Sequence, residues 1–185
     1  MSSTHKVPIR ASTESYFIQV SFFVQKISDL FLARGLTLAV AESCTGGLLS
    51  AAIASRPGVS KFYLGGVVSY HRSVKNEILG VPLSLIQVLG EVSEPVAREM
   101  ASGVRAALKS DWAVAVTGVA GPSGGTVDKP VGMVCFSVVG PGGFSLVETK
   151  YFSGAAISRV EIQNKSVQHA LEMLLNAFEN WSPCA

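Results

Sequence analysis

Residues 36–49 read LTLAVAESCTGGLL, and this stretch determines how the rest of the chain is interpreted. Its first six residues are apolar or β-branched, which predicts a short buried strand. The pair Gly46 and Gly47 then marks a turn, and the apolar residues after it predict a helix. Such a helix leaves backbone N–H groups unpaired at its N-terminus, where the helix dipole favours an anion. The turn is therefore expected to suit a phosphate or an oxyanion.

Two hydroxyl side chains precede the glycine pair. Ser43 is a candidate nucleophile, and Thr45 lies at the same turn. The alternative is structural, because serine and threonine are also favoured at the N-cap of a helix. Strand–glycine–helix turns are common in α/β domains, so this stretch alone does not decide between a cap and a catalytic turn.

The composition bounds the class of protein. A length of 185 residues, with 48% hydrophobic and 15% charged residues, predicts one compact domain. The net charge of +2 and the absence of a Lys/Arg cluster argue against a nucleic-acid partner. No apolar run approaches the roughly 20 residues of a membrane span. Three cysteines and three histidines lie far apart without metal-ligand spacing, so we expect reduced thiols, no metal site and a cytoplasmic location.

The N-terminal part divides into a tail and a helix. Residues 1–15 are predicted to form a flexible tail and residues 16–180 the folded domain, which begins with a helix ended by Gly35. Gln19 and Ser21 interrupt the apolar run of this helix, which argues against a secretory signal. Apolar side chains three or four residues apart predict its buried face, made of Phe17, Val20, Val24, Ile27 and Phe31.

Strands and helices alternate along the rest of the chain. Further strands are predicted at 62–70, 112–116, 131–139 and 144–152, the last two joined as a hairpin. Further helices are predicted at 48–55, 72–79, 93–109 (with Ser93 as N-cap) and 155–180. The inward face of the last helix is predicted to hold Val160, Val167, Leu171, Leu174 and Phe178. This order predicts the α/β class: a single three-layer α/β/α domain with a mixed, mostly parallel sheet.

Polar residues follow three of the predicted strands. They are Ser43 after the first, Tyr70 with Lys75 after the second, and Thr117, Gly118 and Gly121 after the third. In open α/β sheets ligands bind beyond the carboxyl ends of the strands, so these residues are expected to be neighbours. A serine nucleophile needs a base, and a lysine can be that base when its surroundings lower its pKa. The residues therefore suggest acyl transfer without histidine, in which the tyrosine relays a proton or orients the amine and the glycine N–H groups hold the oxyanion.

Structural explanations exist for the same residues. A tyrosine at a strand end commonly packs, a lysine on a helix commonly faces solvent, and Thr117 could bond a loop backbone. Some familiar sites are absent, because no strand is followed by GxGxxG or GxxxxGK[ST]. Ser43 lies in neither an SxxK nor a GxSxG motif.

Five motifs in order give the chain a family resemblance. They are AESCTGG at 41–47, LGGVVSY at 64–70 with Lys75, VSE at 92–94, TGVAGP at 117–122 and KPVG at 129–132. Over roughly residues 20–175 the chain closely resembles the CinA C-terminal domain family, whose characterised enzymatic members are nicotinamide-nucleotide amidohydrolases. The resemblance implies hydrolysis of the carboxamide of nicotinamide mononucleotide to nicotinate mononucleotide and ammonia, in pyridine-nucleotide salvage. It implies neither a metal nor another cofactor.

The resemblance also implies roles for individual residues. Ser43 would be the nucleophile, Tyr70 and Lys75 would assist it, and Thr117 would contact the substrate or the transition state. Arg159 would bind the substrate phosphate, since its planar fork matches phosphate oxygens. We expect Gly46 and Gly47 to hold the oxyanion, with the loop at 121–125 nearer the phosphate. The expected substrate-binding residues are thus Thr45, Gly46, Gly47, Gly118, Gly121 and Arg159.

Two other functions fit the same residues. The chain could be a non-catalytic, regulatory nucleotide-binding module of the same fold, in which Tyr70 and Lys75 are contacts rather than catalysts. It could also be a broader acyl or amide hydrolase with another substrate. A small nucleotide is the expected binding partner in the leading hypothesis. A homo-oligomer is a further expectation, because the apolar first helix could pack on the domain or on a second copy.

Overall fold

The computed structural model describes residues 11–154 and 157–181 of the chain. Six helices and five strands account for most of this part. The helices are α1 (Ala11–Arg34), α2 (Leu48–Ala54), α3 (Arg72–Glu77), α4 (Leu83–Leu89), α5 (Glu94–Leu108) and α6 (Arg159–Glu179). The strands are β1 (Leu38–Glu42), β2 (Tyr63–Val68), β3 (Trp112–Gly118), β4 (Met133–Val139) and β5 (Ser145–Tyr151).

The five strands form one mixed sheet in the order β2-β1-β3-β4-β5. Strands β2, β1 and β3 are parallel, while β4 is antiparallel to both of its neighbours. Four of the five strands therefore point the same way, which confirms the predicted mixed, mostly parallel sheet. The predicted hairpin between the last two strands is also present, with Val139 paired to Ser145.

Helices cover both faces of the sheet because each central strand is apolar on both faces. Along β1, Leu38 and Val40 face a core formed with α1, α2 and α6. The alternating residues Ala39 and Ala41 face a second core formed with α5. This alternation gives the three predicted layers. Because β2, β1 and β3 are parallel, their carboxyl ends lie together at one end of the sheet.

The observed elements differ from the predicted ones mainly at the ends of helices. Helix α1 begins at Ala11, so residues 11–15 are helical rather than part of a tail, while residues 1–10 lie outside the described residues. The predicted inward positions of Phe17 and Val160 are wrong, because the two side chains are 61% and 60% exposed. Tyr16 and Ile162, in the same turns of their helices, pack against the core instead. Helix α4 was not predicted from the sequence, since it is short and follows Pro82 directly.

The N-terminal ends of α5 and α6 differ from those predicted from the sequence. Ser93 occupies the N-cap position of α5, but its hydroxyl donates to the carbonyl of Gly90 and does not cap the helix. Helix α6 begins at Arg159 behind a capping box of Ser158 and Glu161; the predicted start at residue 155 lies outside the described residues. Among the described helices, none is both long and apolar enough to cross a membrane.

Candidate active site

The turn after β1 is built around the carboxylate of Glu42. This side chain is fully buried, and its two oxygens accept hydrogen bonds from the first turn of α2. The donors are the N–H groups of Gly47 and Leu49, each at 3.0 Å, and the N–H and hydroxyl of Ser50, at 2.8 and 2.6 Å. The protein's own glutamate is therefore the anion at this helix N-terminus.

This arrangement corrects the prediction made for the glycine pair. The N–H of Gly47 is bound to Glu42, and the N–H of Gly46 donates to the carbonyl of Ser43 at 3.1 Å. The prediction that these two N–H groups are unpaired is wrong, because a glutamate at the end of the strand reaches over the turn. Both glycines have positive φ, 62° and 101°, which lets the chain turn this sharply. Neither serine nor threonine caps α2, whose N-cap residue is Gly47.

Ser43 lies at the carboxyl end of β1 and is held by the sheet. Its N–H donates to the carbonyl of Val116 on β3 at 2.9 Å, and its side chain is almost fully buried. The hydroxyl of Thr45, two residues on, is also buried and has no hydrogen-bond partner within the described residues.

The Lys75 amine lies 3.1 Å from the Ser43 hydroxyl. Lys75 is only 1% exposed and is the one buried residue of α3, a helix whose start is capped by His71. The amine also donates to the carbonyl of Ser69 at 2.9 Å, and the carbonyl of Tyr70 lies 3.5 Å away. The alternative of a lysine facing solvent is therefore wrong, because the backbone at the end of β2 draws the amine inward.

Burial and the charge of Glu91 shift the pKa of Lys75 in opposite directions. Desolvation lowers the pKa of its amine from the usual 10.5, while the hydrogen bond and charge of Glu91 act to raise it, and burial prevails. The neighbouring thiol is affected differently, because burial raises the pKa of Cys44 to about 12. Near neutral pH the thiol is thus protonated and a poor nucleophile, which leaves the hydroxyl of Ser43 as the candidate.

Glu91 is a site residue that the sequence did not reveal. It lies in the connection between α4 and α5, and its carboxylate is 3.1 Å from the Lys75 amine and 3.8 Å from Nε of Arg72. Its backbone carbonyl accepts a hydrogen bond from the Thr117 hydroxyl at 2.9 Å. Thr117 thus forms the hydrogen bond to a loop backbone that the sequence analysis gave as its structural alternative. It also lines the cavity beside Ser43. No spacing in the sequence relates residue 91 to residue 75, and a glutamate before the VSE motif is the only local signal.

Tyr70 and Arg159 form the outer wall of the site. The phenol of Tyr70 is exposed and accepts a hydrogen bond from Nη2 of Arg159 at 2.7 Å. Nη1 of Arg159 donates to the carbonyl of Gly121 at 2.8 Å. Tyr70 reaches Lys75 through its backbone carbonyl. From the next turn of α6, Gln163 donates to the carbonyl of Cys44 at 2.8 Å, which ties this helix to the turn that bears Ser43.

The two predicted glycines of the third strand end have steric roles. A Cβ on Gly118 would lie 2.8 Å from the carbonyl oxygen of Met133 on the neighbouring strand. Gly121 has φ of 70°, and a Cβ there would lie 2.5 Å from Val131. Both glycines thus allow the loop after β3 to fold closely over the end of the sheet.

These groups enclose one cavity of about 250 Å³ at the carboxyl edge of the parallel strands. Within the described residues, no three His, Cys, Asp or Glu side chains are grouped as metal ligands would be. The cavity is lined by Ser43, Cys44, Tyr70, Glu91, Val92, Thr117, Gly118, Ala120 and Arg159. The structure therefore brings together the predicted Ser43, Tyr70, Lys75, Thr117 and Arg159.

Fold and site together define an α/β/α domain with a serine–lysine pair at the sheet edge. Residues 21–178 match the model of the CinA C-terminal domain, and the chain belongs to this family. Similar curated proteins support this family assignment. The chain is 49% identical over 140 residues to a CinA-like protein of Synechococcus sp., covering 76% of this chain and 33% of the relative. It is 48% identical over 152 residues to a CinA-like protein of Gloeobacter violaceus, covering 82% and 35%. The chain thus spans about a third of the length of these curated relatives.

Solved structures show the same fold. The competence/damage inducible protein CihA from Agrobacterium tumefaciens superposes with a TM-score of 0.83 at 36% identity, covering 86% of this chain and 95% of that one. The competence damage-inducible protein A from Klebsiella pneumoniae also gives a TM-score of 0.83, at 33% identity, covering 88% and 99%. These comparisons confirm the α/β class and the family resemblance found in the sequence.

Proposed function

We propose that the chain is an amidohydrolase that converts nicotinamide mononucleotide to nicotinate mononucleotide and ammonia. The observation that supports it most is the 3.1 Å distance between the Ser43 hydroxyl and the buried Lys75 amine. Burial lowers the pKa of this amine, which makes it a better candidate to accept the serine proton than an exposed lysine would be. The names of the relatives state no reaction, so the choice of substrate rests on the five sequence motifs.

The first half of the reaction forms an ester on Ser43. The serine oxygen attacks the carboxamide carbon while its proton moves to Nζ of Lys75. The tetrahedral intermediate then collapses, the carbon–nitrogen bond breaks, and Lys75 returns the proton to the leaving nitrogen, which departs as ammonia. The electron-poor pyridinium ring makes the carbonyl carbon more electrophilic, so a modest nucleophile suffices.

The second half hydrolyses this ester. A water attacks the acyl carbon and gives one proton to Lys75, the bond to the serine oxygen breaks, and Lys75 returns that proton to Ser43. The product is the carboxylic acid, nicotinate mononucleotide. One amine therefore serves as base and then as acid in both halves.

Other groups would bind the charged parts of the substrate. Since Gly46 and Gly47 are engaged, we assign the oxyanion to donors beside Ser43, beginning with the N–H of Cys44, because the residue after the nucleophile often supplies such a donor. Arg159 would bind the phosphate. Its guanidinium has five N–H donors, and the contacts to Tyr70 and Gly121 leave others for phosphate oxygens.

The ion pair between Lys75 and Glu91 favours a second candidate. A lysine that stays charged beside a glutamate would serve a nucleotide-binding module of the same fold, without catalysis. The two candidates differ in one respect, because only the hydrolase needs Lys75 as a neutral base.

The test is ammonia release from nicotinamide mononucleotide by the purified chain in the presence of a chelator. We expect release by the wild type and by Ser55→Ala, a matched control at an exposed serine. We expect no release by Ser43→Ala, with nucleotide binding retained. If the folded wild type binds the nucleotide but releases no ammonia, the binding module is the correct function. If it hydrolyses the phosphate-free riboside equally well, the substrate assignment is wrong.

A further inference from the structure

We propose that Glu91 is a positioning residue for this reaction: its carboxylate holds the Lys75 amine against Ser43 and stabilises the ammonium group that forms when Ser43 gives up its proton. The inference rests on the proposed amidohydrolase function. It extends the serine–lysine pair to a Ser43–Lys75–Glu91 triad, in which the glutamate acts only through the lysine.

The hydrogen-bond geometry around Nζ supports this triad. A neutral amine has two N–H donors and one lone pair. The donors fit the carbonyl of Ser69 at 2.9 Å and the carboxylate of Glu91 at 3.1 Å, which leaves the lone pair for the hydroxyl of Ser43. After proton transfer the ammonium has three donors for the same three partners. The amine can therefore change its protonation state without moving.

Two side chains that are distant in the sequence hydrogen-bond to the backbone around Glu91. The Thr117 hydroxyl at the end of β3 donates to the carbonyl of Glu91, and the Lys129 amine donates to the carbonyl of Leu89. Between them Gly90 has a positive φ of 72°. A loop tethered by two separate elements keeps the carboxylate at a fixed distance from Lys75, which a positioning role requires.

Other charges near the pair have partners of their own or act on Glu91 from the far side. Nε of Arg72 on α3 lies 3.8 Å from Oε1 of Glu91, whereas the Lys75 amine contacts Oε2, so the two cations share one carboxylate. Glu42 is bound to the start of α2, and Glu94 on α5 accepts a hydrogen bond from Thr149. The remaining titratable groups around the site are Cys44 on the β1–α2 turn, Tyr70 and His71 before α3, Lys129 after β3 and Arg159 on α6.

The consequence for the rate follows from the charge that appears on Lys75. When the proton leaves Ser43, a positive charge forms 3.1 Å from a carboxylate in a poorly solvated place. The carboxylate favours this charged state and so makes the amine a stronger base. Without it, Lys75 would lose its proton at lower pH but would also accept the serine proton less readily.

The experiment is the pH dependence of kcat/KM and kcat for Glu91→Gln. We expect the acidic limb of kcat/KM to move to lower pH by about one unit, and the plateau of kcat to fall about tenfold or more. Arg72→Gln should move the limb the other way, because it removes the competing cation. Glu148→Gln is the matched control: Glu148 is 38% exposed against 35% for Glu91 and is paired with Lys150 and His169 at the far edge of the sheet. It should keep the wild-type profile.

The titration of the Lys75 amine, followed by NMR through its Cε carbon, gives a readout that needs no turnover. We expect Glu91→Gln to lower its midpoint together with the kinetic limb. An unchanged limb or midpoint, even with reduced activity, would overturn the inference and leave Glu91 a loop-supporting residue. A wild type that releases no ammonia would remove the hydrolase function and the triad with it. In that case a shifted midpoint would show that the ion pair exists without catalysis.

Discussion

Two glutamates lie near Ser43, one next to it in the sequence and the other lining the same cavity, and they have different bonding partners. Glu42, at the end of β1, is fully buried, and the described hydrogen bonds of its carboxylate all come from the first turn of α2. Glu91, in the α4–α5 connection, is about one third exposed and faces the side chains of Lys75 and Arg72. The first carboxylate shapes the turn that presents Ser43, whereas the second is paired with the amine that lies beside the Ser43 hydroxyl. The bonding partners, rather than the residue type, separate the structural from the chemical role.

The largest effect is expected from Lys75→Met, which removes the group that connects Glu91 to Ser43. We expect kcat to fall by about 10²–10⁴, because the general base is lost. A loss of less than tenfold, measured as ammonia release, would show that Lys75 is not the base.

The same variant tests how Lys75 affects stability. Its folded pKa lies below the usual 10.5, so at pH values between the two the unfolded chain binds more protons. The free energy of unfolding of the wild type should therefore rise with pH through this window. Urea unfolding at several pH values should show this rise in the wild type and a smaller slope in Lys75→Met. Equal slopes would contradict the lowered pKa.

The next largest effect is a difference in the free energy of unfolding between substitutions of the two glutamates. Glu42→Gln should lower the free energy of unfolding by about 2–3 kcal/mol, since a buried charge-assisted cap is replaced by an amide that places N–H donors against N–H donors. Glu91→Gln should change it by no more than about 1 kcal/mol, because the carboxylate is partly exposed. Urea denaturation at pH 7 measures both. If the two variants are equally destabilised, the distinction drawn between the glutamates is wrong.

The smallest effect on the rate is expected from removing the hydrogen bond between the Thr117 hydroxyl and the Glu91 carbonyl. Thr117→Val keeps the shape of the side chain and removes its hydrogen bond to the Glu91 carbonyl, a loss of about 1 kcal/mol. We expect kcat to fall about fivefold with KM unchanged. The acidic limb of the pH profile should move in the same direction as in Glu91→Gln, but by less. An effect confined to KM would instead assign Thr117 to substrate binding.

The sequence predicted the fold well because the signals for the strands are local. Apolar runs that end in polar residues located β1, β2 and β3, and parallel pairing then placed Ser43 near Lys75. The errors arise where contacts between distant parts of the chain determine which side chains are buried. Phe17 and Val160 fit the apolar spacing of their helices, yet Tyr16 and Ile162 are the side chains in those turns that pack against the core.

The two glutamates were missed for a related reason. Capping rules describe a short side chain at the N-cap, whereas Glu42 reaches from the preceding strand over five to eight residues of chain. Glu91 meets Lys75 only because α4 and the loop at Thr117 set its position. Neither contact has a fixed spacing that a single sequence could reveal.

The central claim is that Ser43 forms an ester with the substrate. Its most direct test is acid quenching during turnover of nicotinamide mononucleotide, followed by peptide mass spectrometry. We predict that the acyl nucleotide is attached to the peptide that contains Ser43 in the wild type. Glu91→Gln should show the same adduct, and Ser43→Ala should show neither the adduct nor ammonia. An adduct on another residue, or turnover by Ser43→Ala at the wild-type rate, would contradict the claim.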